Sequence, residues 1–249
     1  MLTHITRYTI VLFCLGCLPW TAEAREFIFA SASEPYLARD IAEAMITAAY
    51  QRLGHTVQFK HVPLERALFE ANSGMVDGEA ERAVMGFVQY PGLVPIRVPV
   101  AEDEFVAYGK GNLLKVSGWA SLKPWRLVSI RGIKRIEALG PDYKLEFVGS
   151  AEQLFRFLQM GRADIGILTR GNTCIPLQLG ITDIKIQEPA IENIQFYHHL
   201  NERHSALIPQ IEATLQEMQK DGSSQRIKDE IRNRWTRCSN VATKQTISP

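Results

Sequence analysis

From residue 26 onward the apolar positions switch between a period of two and a period near 3.6. Glu26 to Ala30 is a short apolar run fit for a buried strand. Leu37, Ile41, Ala44, Met45 and Ala48 then recur at helical spacing, opened by Pro35 and stopped by Gly54. Thr56 to Val62 alternates, with Val57 and Phe59 on one face. Leu64, Ala67, Leu68 and Ala71 mark a short helix between Pro63 and Gly74, and Met75 to Glu79 reads as a short strand. The order β-α-β-α-β predicts a mostly parallel sheet with helices on its faces.

Between Tyr90 and Glu104 the rhythm changes. Pro91, Pro95 and Pro99 favour extended backbone, and the segment reads as an edge strand leading to a crossing strand at Phe105 to Tyr108. The same grammar then repeats. Arg126 to Ile130 is a strand, Gly132 to Leu139 a helix and Leu145 to Val148 a strand. Ser150 and Gln153 form a capping box ahead of Leu154, Phe157 and Leu158, and Gly161 ends that helix. Asp164 to Leu168 is a further strand, Gly171 to Leu179 a short helix and Ile184 to Ile186 a strand heading back. In the tail, Ser205 caps a helix carrying Leu207, Ile211, Leu215 and Met218. Gly222 breaks it, and Ser224 starts a last helix with Ile227, Ile231 and Trp235. The pattern becomes polar beyond Cys238. Two α/β units, with the chain crossing between them twice, account for all of this.

The first residues change the compartment. Arg7 precedes the apolar run Tyr8 to Leu18, and Ala22-Glu23-Ala24 gives the small-x-small pattern of a signal-peptidase site, so residues 1–24 read as a cleaved signal peptide and the protein as periplasmic. A lipoprotein variant at Cys17 is the weaker alternative, because Cys14 stands where that cleavage box has an aliphatic residue. Export removes Cys14 and Cys17 and leaves Cys174 and Cys238 in an oxidising compartment, either as a disulfide or as two separate thiols. The 28 basic and 27 acidic residues leave a formal charge of +1, with no basic run, which argues against nucleic acid as a partner. No metal-ligand spacing or redox C-x-x-C motif is present, and nothing calls for a cofactor.

Several motifs occur in a telling order. Glu34-Pro35-Tyr36 follows the first strand; Val62-Pro63-Leu64-Glu65-Arg66-Ala67 and Gly74-x-x-Asp77-Gly78-Glu79-x-x-Arg82 come next. Ser129-Ile130-Arg131-Gly132, Gly161-Arg162-Ala163-Asp164, Phe196-Tyr197-His198-His199-Leu200-Asn201 and Asp221-Gly222 complete the series. Over nearly all of the mature chain this resembles the family 3 extracellular solute-binding proteins, the polar-amino-acid branch of the type 2 periplasmic binding proteins. The resemblance implies an α/β Venus-flytrap fold whose hinge is two crossing strands. One lobe would comprise residues 25–104 and 190–240, the other residues 105–189, and residues 241–249 would be a polar tail. It also implies a monomer that takes a small polar solute, anionic or amino-acid-like, and serves an ABC-type permease or a membrane sensor.

The residues expected at the ligand are Glu34, Tyr36, Glu79, Arg82, Arg131, Gly132, Thr169 and Arg170. Glu34 and Tyr36 follow a strand end, where a carboxylate accepts from an ammonium group and an aromatic ring covers a ligand; solvation of Glu34 and packing of Tyr36 are the structural alternatives. Arg82 offers a bidentate guanidinium, although the arginine of amino-acid-binding relatives lies farther downstream after a threonine. Its alternative is a surface salt bridge with Glu79 or Glu81. Arg131-Gly132 marks a strand-to-helix turn with main-chain donors, with Ile133 where relatives have threonine. Thr169 stands where relatives place the aspartate that pairs with the ligand ammonium, and Arg82, Arg131 and Arg170 near the cleft admit an anionic solute, the alternative being that these arginines point outward. Two other readings compete with a binding protein: a periplasmic enzyme on this fold, of the cyclic-acid dehydratase type, with Glu79 or Glu34 as its acid or base, and a sensor with a degenerate cleft. His198 and His199 face opposite sides of a strand and read as structural.

Overall fold

Strand β9, Ile184–Asn201, is 18 residues long and belongs to two sheets at once. The computed structural model describes residues 24–83, 89–112 and 114–245, without the side chains of 236–245. The signal-peptide segment and Cys14, Cys17 and the side chain of Cys238 therefore lie outside the described residues.

In the first sheet, β1 (Glu26–Ala32) lies between β2 (Thr56–Val62) and β3 (Gly78–Arg82), parallel to both. The far half of β9 pairs antiparallel with β3 and with the short β4 (Leu93–Pro95). Helix α1 (Leu37–Arg52) buries Ile41, Met45, Ile46 and Tyr50, and α2 (Leu64–Asn72) buries Ala67, Leu68 and Ala71. In the second sheet, β5 (Ala101–Lys110) pairs with β8 (Ile165–Thr169), which is followed by β6 (Arg126–Ile130) and β7 (Lys144–Val148). The first part of β9 runs antiparallel to β5, from Ala101↔Phe196 to Lys110↔Ile184, with a break in register between Phe105 and Ala107. The strand order β2-β1-β3-β9-β5-β8-β6-β7 is thus continuous, and β5 and β9 are the strands that carry it from one half to the other.

The two halves use the same local device. Asp77 accepts from the Ile28 N–H at 2.8 Å while its own N–H donates to the Ile28 carbonyl at 2.7 Å. Asp164 does the same with Arg126, at 3.0 and 2.8 Å. Each aspartate pins the return of the chain to the first strand of its unit. Around Asp77, Arg203 and His204 donate from 2.8 and 2.7 Å. Below it, Phe29 meets Tyr50 and His198 edge-on, with ring centroids 5.2 and 4.6 Å apart. Burial lowers His198 to about 3, so its ring is neutral; it bonds the Glu79 carbonyl at 2.7 Å and the Tyr50 hydroxyl at 3.2 Å. It is a core residue.

Several local expectations shift. The third strand begins at Gly78 rather than Met75, whose side chain is exposed, because the chain turns through Gly74 and is held by Asp77. The Gly132–Leu139 helix shrinks to α3 (Lys134–Glu137). Ser150 caps α4 (Ala151–Gln159) as expected, accepting from the Gln153 N–H at 3.1 Å, but the reciprocal arm bonds the Gly149 N–H at 2.8 Å. Between β8 and β9 the chain forms α5 (Cys174–Gln178). The Ser205 cap does not form: residues 202–207 make a 3₁₀ turn capped by Asn201, and α6 (Ile208–Lys220) starts beyond it. The last helix, α7 (Ser223–Gln245), packs on both α1 and α5, with the Trp235 indole N–H donating to Asp40 at 2.9 Å. Cys174 is buried with its Sγ 3.6 Å from the Trp235 carbonyl, at the α5–α7 seam that leads towards Cys238.

The packing of α4 on the second sheet depends on Gly166 of β8. A Cβ there would sit 2.7 Å from Leu154 Cδ2 and 2.9 Å from Leu158 Cδ1. Gly166→Val is expected to lower unfolding stability by about 1–3 kcal/mol through overpacking, read as a lower midpoint in urea denaturation with an unchanged slope.

Candidate functional site

The carboxyl ends of β1, β2, β3, β6, β7 and β8 converge on one cavity of about 250 Å³. This is where open α/β sheets place ligands, because strand ends and the loops after them leave side chains and main-chain groups facing a crevice. The first half contributes Ser33, Glu34, Tyr36, Leu64, Glu81 and Arg82, and the second Ile130, Arg131, Ile133, Leu168, Thr169 and Asn172. Phe105 of β5 and Phe196 of β9 also line it, so the hinge strands supply part of the wall. The volume lies at or below the roughly 300–1,000 Å³ of pockets for drug-sized ligands, which limits the occupant to a small molecule.

The lobes touch across this cavity. Lys134 Nζ reaches Glu65 at 2.7 Å, and Glu34 accepts from the Ala151 N–H at the start of α4 at 2.9 Å. Gly132 approaches Leu64 so closely that a Cβ would lie 2.8 Å from Leu64 Cβ, and its φ of +92° is the left-handed region that favours glycine. The cleft is therefore closed.

Arg82 is the polar centre of the seam. One extra residue between Glu79 and Arg82, opposite His199 and Tyr197, bulges β3 and breaks its two-residue alternation. The bulge brings Arg82 back onto Glu79, and the two form an ion pair with side chains only 6% and 2% exposed. Arg82 also donates to the Leu64 carbonyl at 3.0 Å and, across the cleft, to the Gly132 carbonyl at 3.3 Å. Its Nε is buried with no partner among the described residues. Burial pulls the guanidinium down to about 10, so it stays charged at neutral pH.

Beside it, Glu81 is 2% exposed and lines the cavity. Tyr36 donates to its Oε1 at 2.9 Å. Burial, with the nearby Glu43 adding to it, raises Glu81 to about 8, and burial likewise raises the Tyr36 phenol, so both carry their protons at neutral pH.

The expected residues fall into two groups. Glu34, Tyr36, Arg82, Arg131 and Thr169 line the cavity; Glu79, Gly132 and Arg170 do not. Glu79 lies behind Arg82 as its buried counter-ion. Gly132 has no donor to spare for an anion, because its N–H donates to Glu137 at 2.7 Å, and the helix it was to begin is one turn long. Arg170 turns to the opposite side of the hinge, where Glu104 binds its Nε and Glu188 takes both terminal nitrogens at 2.8 and 3.1 Å. Thr169 is buried, its hydroxyl bonded to Asp103 and accepting from Asn172 at 2.8 Å. Arg131 is exposed over the Phe147 ring at 6.0 Å and meets no carboxylate among the described residues. Sequence reasoning missed Glu81, Lys134 and the phenylalanine wall. Glu81 was visible only as an alternative partner for Arg82, and nothing in the local pattern marks a bulge.

No family model matches the chain. An uncharacterised protein of Shewanella oneidensis is 29% identical over 199 residues, covering 77% of this chain and 75% of its own. Among solved structures, a histidine kinase sensor domain with similarity to periplasmic binding proteins superposes with a TM-score of 0.71 at 15% identity, over 85% of this chain and 96% of its own. A periplasmic binding protein of an arginine transport system from Legionella pneumophila superposes with a TM-score of 0.65 at 13% identity, over 84% of this chain and 100% of its own. A structure bound to L-arginine gives 0.64 at 16%, over 82% and 89%. The architecture that the sequence resemblance implied is thus the one observed: the chain has the two-lobed type 2 periplasmic binding protein fold, as seen in amino-acid substrate-binding proteins.

Proposed function

We propose that this protein is an exported receptor that closes over a small carboxylate-bearing solute, amino-acid-like or purely anionic, and delivers it to a membrane partner. The observation that carries this reading is the charge left uncompensated around the cavity. Of the acids there, Glu34 is held by the start of α4, Glu65 by Lys134, and Glu81 is neutral. Of the bases, Lys134 is paired with Glu65 and Arg135 with Glu192. Arg131 remains without an acid among the described residues, and Arg82 presents a buried Nε that no group there satisfies. A carboxylate is the group that matches both. The arginine transport protein and the kinase sensor domain sharing this fold support a binding role, the first for uptake and the second for signalling. The apolar run and Ala22-Glu23-Ala24 support export, and among the described residues no helix is long and apolar enough to cross a membrane.

A second reading, as an enzyme, has one observation in its favour: a protonated carboxyl, Glu81, in the cavity wall. Mass spectrometry on the solute after incubation separates the two, since a receptor returns it unchanged.

A thermal-shift screen of the twenty protein amino acids and small mono- and dicarboxylates is expected to find at least one stabilising solute. Arg131→Ala should then weaken its binding about tenfold or more, the worth of a charge-assisted hydrogen bond, with the melting temperature of the unliganded protein unchanged. No stabilising solute, or equal affinity in Arg131→Ala by calorimetry, would remove this reading. The closed seam gives a second expectation. Gly132→Val places atoms against Leu64 and forces a disfavoured backbone, so its radius of gyration in small-angle scattering should exceed that of the wild type.

A further inference from the structure

Glu81 is the cavity end of a hydrogen-bonded chain that reaches the surface. Its Oε2 lies 3.2 Å from Ser31 Oγ; Ser31 Oγ lies 2.7 Å from Glu43 Oε1; and that same oxygen lies 2.9 Å from His61 Nε2. Exposure rises along the chain, from 1% at Ser31 to 18% for the Glu43 side chain and 45% for that of His61. Two carboxyl groups thus meet a single hydroxyl, which has one proton to donate. Were both ionised, one would press its lone pairs against those of the serine oxygen inside a buried site. One of them therefore carries a proton.

The surroundings decide which. Arg39 lies 3.8 Å from Glu43, and His61 bonds it from the outside, so Glu43 is the member with groups placed to compensate a negative charge. Glu81 has hydrogen bonds only to the Tyr36 and Ser31 hydroxyls; Arg39 acts on it through space without bonding it, an effect that burial outweighs, and Arg82, next to it on β3, is turned to Glu79 and the cleft carbonyls. From β9, Tyr197, His198 and His199 lie alongside β3, with neutral His198 on the Glu79 carbonyl. With the proton on Glu81, every hydrogen has an acceptor. Tyr36 donates to Glu81 Oε1, Glu81 Oε2–H to Ser31, Ser31 to Glu43, and His61 to Glu43. The upward displacement of Glu81 to about 8 agrees with this assignment.

Among the described residues, Glu81 is also the carboxyl in the cavity wall that no cation or helix N–H already engages, since Glu34 and Glu65 are both committed. Across the cleft, Thr169 brings no charge. We propose that Glu81 is a proton-loaded ligand contact: an ammonium group entering the cavity displaces its proton, which leaves through Ser31 and Glu43 to the solvent beside His61. In that step the Glu81 O–H bond breaks as one forms on Ser31, and the proton of Ser31 passes to Glu43, which releases it to water. One proton is lost to solvent, and Glu81 is left as the carboxylate partner of the ammonium. This rests on the receptor reading above and gives that receptor a pH-dependent preference for amine-bearing solutes.

Two measurements test it, the first without ligand. In deuterated buffer at neutral pH, the wild type should show the infrared carbonyl band of a protonated carboxyl that is absent in Glu81→Gln and fades as pH rises through about 8. Because the folded protein holds this proton from the ordinary 4.5 up to about 8 while the unfolded chain does not, stability should fall as pH rises through that window. Glu81→Gln should flatten the fall and melt higher than the wild type at the upper end. A wild type without the band, or with the same pH slope as Glu81→Gln, overturns the proposal. The second measurement is calorimetry with each amino acid that scored in the thermal-shift screen, in phosphate and in Tris. The apparent enthalpy should differ between buffers by the heat of about one released proton, and the difference should vanish in Glu81→Gln. Buffer-independent heat, or binding confined to carboxylates lacking an amine, overturns the proton coupling and leaves the receptor reading standing. Failure of every solute to bind ends the receptor reading itself.

Discussion

Both halves of this molecule hang on one antiparallel pairing. β5 and β9 pair from Ala101↔Phe196 to Lys110↔Ile184, with one irregularity between Phe105 and Ala107, and β9 continues from this pairing into the first sheet. The parallel strands on either side can only be attached through them, with their carboxyl ends turned to the space between. Placing the cavity at the seam is a consequence of that pairing. So is its lining, because Phe105 and Phe196 sit on the two crossing strands and form part of the wall while holding the hinge together.

At the seam, main-chain groups are satisfied by the opposite half. Arg82 of the first sheet bonds the Gly132 carbonyl of the second, and the Ala151 N–H of the second finds Glu34 of the first. Such bonds are individually modest, on the order of 1–3 kcal/mol for those involving a charged group. They are also specific to the closed geometry, which makes the closed state recognisable by its partners and separable from an opened one. A ligand adds to a set of contacts already in place.

Much of the fold could be read from the chain. Periodicity located α1, β2, α2, β6, β7 and α4 within a residue or two, and the Ser150 cap was visible as a motif. Four kinds of information were not local. The length of β9 depends on pairing with β5 on both sides of an irregular stretch, up to Gln187 and again from Glu192, so that Glu188 and Pro189, which do not read as strand by themselves, are carried inside it. The start of β3 depends on Asp77 finding Ile28, a residue 49 positions away. The direction of Arg82 depends on a bulge opposite β9. Arg170 looked like a cleft residue by proximity in sequence, but Glu104 and Glu188 on the hinge strands draw it outward. Motif order revealed which strand ends meet; which side chains point inward was decided by pairing partners far along the chain.

The last helix adds a constraint of a different kind. α7 contacts α1, which rides on the first sheet, and α5, which belongs to the second, and Trp235 is fastened to Asp40 on one side while its carbonyl lies beside Cys174 on the other. The two halves are therefore joined by three links rather than by two strands alone, and the third is itself tied to the strand pair, with Lys228 of α7 reaching Glu102 of β5 at 3.2 Å. Any opening of the cleft would have to carry α7 along or part it from α1 or α5, so the helix braces the two crossing strands.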